Sequence, residues 1–175
     1  MPIRRTHSIF ETLLQRLLIL TIMFASFTGM NFPEREVAVD VVNFEQLQQV
    51  LNSDTEHILV VNFWATWCLP CVAELPVFAE LEEESADRNI RVLLVSLDFA
   101  DQLNERLIPF VEKKGIRSEV LLLNDPDANK WIPQVDKTWS GAIPATLVLN
   151  KGKQAFYEGS IDKERLNKLI KNVLK

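Results

Sequence analysis

Cysteine and histidine are scarce in this 175-residue chain, which holds two of each. That limits metal chemistry. A structural zinc ion usually takes four Cys or His ligands, and His7 lies in an N-terminal segment that resembles a leader. Positive charge is short as well. Nineteen Lys and Arg face 24 Asp and Glu, for a net charge of −5. Without residues 1–30, which carry three arginines and one glutamate, it is −7. An acidic body without a basic patch argues against nucleic acid as a partner. No uninterrupted apolar run reaches the ~20 residues needed to cross a bilayer, and neither a repeat nor a low-complexity segment occurs. What is present is ordinary globular composition, 47 % apolar and 25 % charged, in a length that suits one domain.

Residues 1–30 stand apart. Arg4, Arg5 and Arg16 precede an apolar stretch over 17–27, the pattern of a basic region followed by a signal-peptide core. A small-residue cleavage site is lacking, and residues 13–30, interrupted by Gln15 and Arg16, could instead serve as a short uncleaved anchor. Both readings send the rest of the chain out of the cytoplasm. A polar linker over 31–36 then leads to a domain over 37–175.

Both cysteines sit in Trp67-Cys68-Leu69-Pro70-Cys71, between a strand-like apolar run over 57–64 and a helix-like run over 72–85. A helix N-terminus offers unpaired N–H groups and partial positive charge, which favour thiolate, the nucleophilic form. The three-residue spacing lets one sulfur attack an outside disulfide and the other resolve the mixed disulfide. Cys68, at the helix edge, is the expected nucleophile, and Cys71, one turn in, the resolving thiol. Leu69 and Pro70 carry no charge, and Pro70 stiffens the turn and removes one N–H. Trp67 is either an apolar wall for a partner or mere packing. Glu74 lies on the same helical face as Cys71. It is either a carboxyl near buried sulfur, able to pass protons, or a solvent-exposed glutamate favoured by the helix dipole.

The remaining pattern alternates strands and helices. Strands are expected over 37–42, 57–64, 90–97, 119–123, 145–149 and 153–158, the last two joined as a hairpin around Asn150-Lys151-Gly152. Asn43 with Gln46 resembles a capping box. Helices are expected over 72–85 with Pro76 kinking it, over 102–114 with Pro109 disturbing its middle, and from a cap at Asp125-Pro126 towards Trp131. Asp162 should cap a last helix carrying Leu166, Leu169, Ile170, Val173 and Leu174. Right-handed β-α-β linkage makes the sheet partly parallel. His57 is expected at a strand edge or on the surface.

The segment V-V-N-F-W-A-T-W-C-L-P-C-V-A-E-L-P, residues 60–76, resembles the active-site segment of the thioredoxin superfamily, most closely its TlpA/ResA-like extracytoplasmic thiol–disulfide oxidoreductases. The resemblance implies an α/β thioredoxin fold: a central mixed β-sheet flanked by helices, with a helical insertion before a cis-proline. That proline is Pro144, lying against the dithiol, with Ile143 before it pairing with substrate backbone and residues 139–142 forming a substrate-facing loop. The departure is Asn62, where cytosolic thioredoxins carry a buried aspartate. Glu74 stands where the ResA-like proteins have a glutamate and is implied to assist proton transfer. The resemblance also implies protein thiol or disulfide substrates such as apocytochrome c, a reducing direction and a membrane electron donor. No cofactor is implied beyond the redox-active Cys68–Cys71 disulfide. Two other classes stay open. One is a copper-delivery module using the cysteine pair, although no histidine lies in 98–144. The other is a non-enzymatic adaptor.

Overall fold

A continuous apolar strand, Ile58–Trp64 (β2), lies at the centre of the molecule and is buried along its whole length. Seven residues with one polar member can be covered on both faces only if helices pack above and below. The computed structural model describes residues 38–54, 56–84 and 89–175, all within the unit Val37–Lys175. The expected leader over 1–30 and linker over 31–36 lie outside the described residues. Among the described residues no helix is long and apolar enough to cross a membrane.

Six strands form one mixed sheet. β1 (Val39–Val42), β3 (Ile90–Ser96) and β4 (Glu119–Leu123) join β2 on one side, and β5 (Ala145–Asn150) and β6 (Lys153–Glu158) complete the other. The order is β1-β4-β3-β2-β5-β6. The first four strands are parallel; β5 runs antiparallel to β2, and β6 antiparallel to β5. Helices α1 (Phe44–Ser53), α2 (Leu69–Glu84), α3 (Ile108–Lys114), α4 (Ala128–Val135) and α5 (Lys163–Leu174) flank the sheet. Alternate β2 residues feed two cores. Val60 and Trp64 pack with α2 and α5 residues such as Phe78 and Ile170, whereas Val61 and Phe63 pack with Leu47, Trp131 and Trp139.

Helix starts follow local chemistry. Asn43 accepts the Gln46 N–H at 2.9 Å and Gln46 Oε1 accepts the Asn43 N–H at 2.9 Å, a complete capping box. Asp162 accepts the Arg165 N–H at 2.8 Å at the start of α5. Two expected starts differ. Asp125-Pro126 does not cap α4, which begins at Ala128 after Asp127. The Asp125 carboxylate instead accepts the N–H groups of Phe44 and Asp127, both at 3.1 Å, so it serves the first turn of α1 across the sheet end. The helix expected over 102–114 is split into a 3₁₀ turn (Ala100–Gln102), one π turn (Leu103–Leu107) and α3. Pro109 lacks an N–H and crowds the carbonyl four residues back. It therefore sits in the first turn of α3, where no N–H is needed. His57 is half-exposed, with Nδ1 2.9 Å from the Asp54 carboxylate, just before β2.

Asn43→Ala should lower stability by about 1 kcal/mol, since it removes one capping acceptor. Urea unfolding should show a lower midpoint with an unchanged slope; an unchanged midpoint would mean that the cap contributes nothing.

Candidate active site: a buried dithiol turn

The parallel register of β2 and β3 ends at Trp64 and Ser96, and the next turn is fastened by Asp98. Its carboxylate accepts the Thr66 N–H at 2.9 Å, the Thr66 hydroxyl at 2.6 Å and the Ser96 hydroxyl at 2.8 Å. The chain leaves this tether through Trp67 and enters α2 at Leu69, three residues earlier than expected. Cys68 is thus the N-cap residue of α2. Its carbonyl accepts the Val72 N–H at 3.0 Å, and its Sγ lies 3.3 Å from the Cys71 N–H. A sulfur here occupies the position that Asn43 and Asp162 oxygens take in α1 and α5, in the most positive part of the helix dipole.

Cys68 and Cys71 form a disulfide with Cα atoms 5.3 Å apart. Cys71 is completely buried. Cys68, at the helix edge, is only 6 % accessible and still the more open of the pair. It is covered by the chain before β5: its Sγ lies 3.8 Å from the Ile143 carbonyl oxygen, and the Ile143–Pro144 bond is cis. Pro144 is buried and Ile143 partly so, whereas Leu69 and Pro70 are exposed. Trp67 is 48 % exposed, while Trp64 is core.

Residues 139–142 do not all face outward. Trp139 is buried, its ring 4.7 Å from that of Phe63 and 5.7 Å from that of Trp131, and its Nε1 donates to the Ala142 carbonyl at 2.8 Å. An indole of that size gains more by filling the second core than by facing water. Ser140 is held by Glu158 through its N–H at 2.7 Å and its hydroxyl at 2.6 Å. This segment braces Ile143 from behind.

Glu74 is 4 % accessible, so it is no solvent-facing residue. Its Oε1 accepts from Asn62 Nδ2 at 2.9 Å and its Oε2 from the Ile161 N–H at 2.8 Å. Burial pushes its pKa up from 4.5 to about 7, outweighing the opposing hydrogen bonds from Ile161 and Asn62. Asn62 Nδ2 also approaches the Ala145 carbonyl at 3.4 Å and Thr146 Oγ1 at 3.3 Å. Among the described residues no group of three or more His, Cys, Asp or Glu is placed to hold a metal ion.

Sequence reasoning missed Asp98 and the Ile161 N–H. Asp98 had a faint signal, a carboxylate two residues after Ser96 at the end of a buried strand. Ile161 had none, because a backbone donor carries no side-chain signature.

The raised pKa of Glu74 has a consequence for stability. Between pH 4.5 and about 7 the folded domain holds a proton that the unfolded chain releases, so stability falls as pH rises through this window and levels off above it. At about 1.36 kcal/mol per pKa unit the full loss comes to roughly 3 kcal/mol. The stability difference between wild type and Glu74→Gln should therefore change in favour of the variant from pH 5 to 7.5 by urea unfolding; a constant difference would contradict the assignment.

Comparisons with known proteins agree with this geometry. The AhpC/TSA family signature matches residues 29–154. The thiol-disulfide oxidoreductase ResA of Oceanobacillus iheyensis is 29 % identical over 116 residues, covering 60 % of each chain. The thioredoxin-like protein YneN of Bacillus subtilis is 26 % identical over 132 residues, covering 62 % of this chain and 77 % of its own. The chain thus spans about three fifths of the ResA relative's length. A DsbF homologue from Corynebacterium diphtheriae superposes with a TM-score of 0.56 at 26 % identity, over 70 % of this chain and 75 % of that one. The chain belongs to the AhpC/TSA family and has the thioredoxin fold.

Proposed function

We propose that this protein is a thiol–disulfide oxidoreductase that reduces protein disulfides outside the cytoplasm. The observation that carries the reading is the Cys68–Cys71 disulfide at the N-terminus of α2, with Cys68 Sγ at the cap position. The relatives' names support the chemistry.

In the reduced state the helix end favours the Cys68 thiolate. It attacks one sulfur of the substrate disulfide; that S–S bond breaks, a Cys68–substrate disulfide forms, and the released thiolate takes a proton. Cys71 then loses its proton to the Glu74 carboxylate and attacks Cys68 Sγ. This frees the second substrate thiol and leaves the Cys68–Cys71 disulfide, so two electrons have passed to the substrate. A dithiol donor restores the pair by the reverse exchange. Glu74 suits the proton step because its pKa lies near neutrality and it stands one helical turn beyond Cys71. Ile143 and Pro144 line the groove above Cys68, with the Ile143 carbonyl 3.8 Å from its Sγ, beside the exposed Trp67, Leu69 and Pro70.

The arginine-led apolar segment before residue 30 supports export, by cleavage or as an anchor whose amino side stays cytoplasmic. The TlpA/ResA-like resemblance supports a membrane dithiol as donor and an exported thiol protein such as apocytochrome c as substrate.

Cys71→Ser should accumulate mixed disulfides through Cys68, visible on non-reducing gels, and Cys68→Ser should form none. Alkylation at mildly acidic pH should label Cys68 before Cys71. Labelling of Cys71 first, or capture through Cys71, would reverse the roles. Glu74→Gln should slow resolution by about a hundredfold or more and flatten its pH profile near pH 7. An unchanged profile would leave water as the proton carrier.

A further inference from the structure

We infer that Phe99 is a substrate-binding residue, and that with Trp67 and Leu69 it forms an apolar surface for a protein segment whose cysteine is flanked by apolar side chains. The inference rests on the oxidoreductase reading above and adds the substrate class.

Phe99 lies immediately beyond β3, and it is 65 % exposed; Trp67 is 48 % and Leu69 81 % exposed. Their placement follows from the strand ends. The Leu97 N–H donates to the Trp64 carbonyl at 2.8 Å, and Thr66 Oγ1 to Asp98 Oδ1 at 2.6 Å. Residues 66 and 98 are fastened side by side, so 67 and 99 emerge together at the C-terminal end of the sheet, where Cys68 opens to solvent. Among the described residues the other large exposed apolar side chains, Val41 and Leu174, stand singly on the edge strand and at the end of α5.

A single exposed apolar side chain is ordinary, whereas several exposed together mark an interaction surface. Here the dithiol fixes the occupant. A reacting disulfide must bring its sulfur to Cys68 Sγ, and the residues on either side of that cysteine then fall on Trp67, Leu69 and Phe99. No charged residue occurs from Trp67 to Ala73 or at Phe99 and Ala100, and the exposed charge next to them is the acidic Asp101, so apolar flanks bury area there while acidic flanks lose water and face a like charge. Apolar residues around a cysteine are exposed in a chain that has not folded, which makes unfolded or extended protein segments the matching substrates. Asp98 acts as a positioning residue by holding the Thr66 turn beside Phe99.

The test uses the full chain, reduced, with two disulfide-linked peptides of equal length, one with Leu and Phe beside the cysteine and one with Ser and Gly, and with hydroxyethyl disulfide as a small substrate. The wild type should prefer the apolar peptide by about tenfold in kcat/KM, mainly through KM. Phe99→Ser, at an exposed position, should keep its thermal midpoint and bring that ratio within about twofold of unity. Equal use of both peptides by the wild type, or a preference that survives in Phe99→Ser, would overturn the inference. Failure of the wild type to reduce even hydroxyethyl disulfide would overturn the oxidoreductase reading instead. Concentration-dependent self-association abolished by Phe99→Ser would show that a second copy covers the surface, and would also overturn it.

Discussion

A carboxyl group sealed inside the domain, one turn along α2 from Cys71, is the constraint on which the rest of the site depends. Glu74 is held by the Asn62 side chain on β2 and by the Ile161 N–H between β6 and α5. One side chain therefore ties the central strand, the dithiol helix and the approach to the C-terminal helix. Withdrawing a carboxylate from water is costly, and the two donors offset only part of that cost. The remainder is the shift that brings Glu74 to about 7. Asn62 is suited to this partner: an aspartate there would put two carboxylates within 2.9 Å of each other and force them to share protons. An amide supplies an N–H donor without adding charge.

Around that carboxyl, the site is assembled from chain segments that each do one job. β2 and β3 end together, Asp98 fastens the turn that follows, and α2 starts on Cys68. The segment before β5 closes over the sulfur and is braced by buried Trp139 and by the Ser140–Glu158 bonds. Rigid support of this kind matters for exchange, because three sulfurs must come into line and small displacements are expensive. The accessible part is correspondingly small. Cys68 is 6 % accessible, and the exposed side chains beside it are Trp67 and Leu69.

Much of this was legible in the residues. The continuous apolar run of β2, the stripe of α5 and the caps at Asn43 and Asp162 follow from short-range rules, and the structure has them. The dithiol was legible because two cysteines at that spacing, between a strand and a helix, leave few other readings. Long-range partnership was harder. Asp125 looked like the cap of the helix next in sequence, yet it serves α1, because Phe44 has a free N–H at the same end of the sheet. Trp139 looked like part of an outward loop, but its ring fills the space between Phe63 and Phe156. Pro109 warned of a disturbed helix without showing that the chain would take a wide turn ahead of it. Glu74 left two readings open, surface or buried, and only the packing of α2 against Asn62 and Ile161 separates them.

The proposed function requires Cys68–Cys71 to be a working redox couple rather than a structural bridge. The most direct measurement is its reduction potential, by equilibrating the protein in glutathione buffers of graded ratio and trapping the thiols with acid. A working couple gives a reversible two-electron transition between about −270 and −120 mV, the range of exchange-active pairs on this fold. A pair that stays oxidised across the whole series, as a structural disulfide below about −300 mV would, contradicts it.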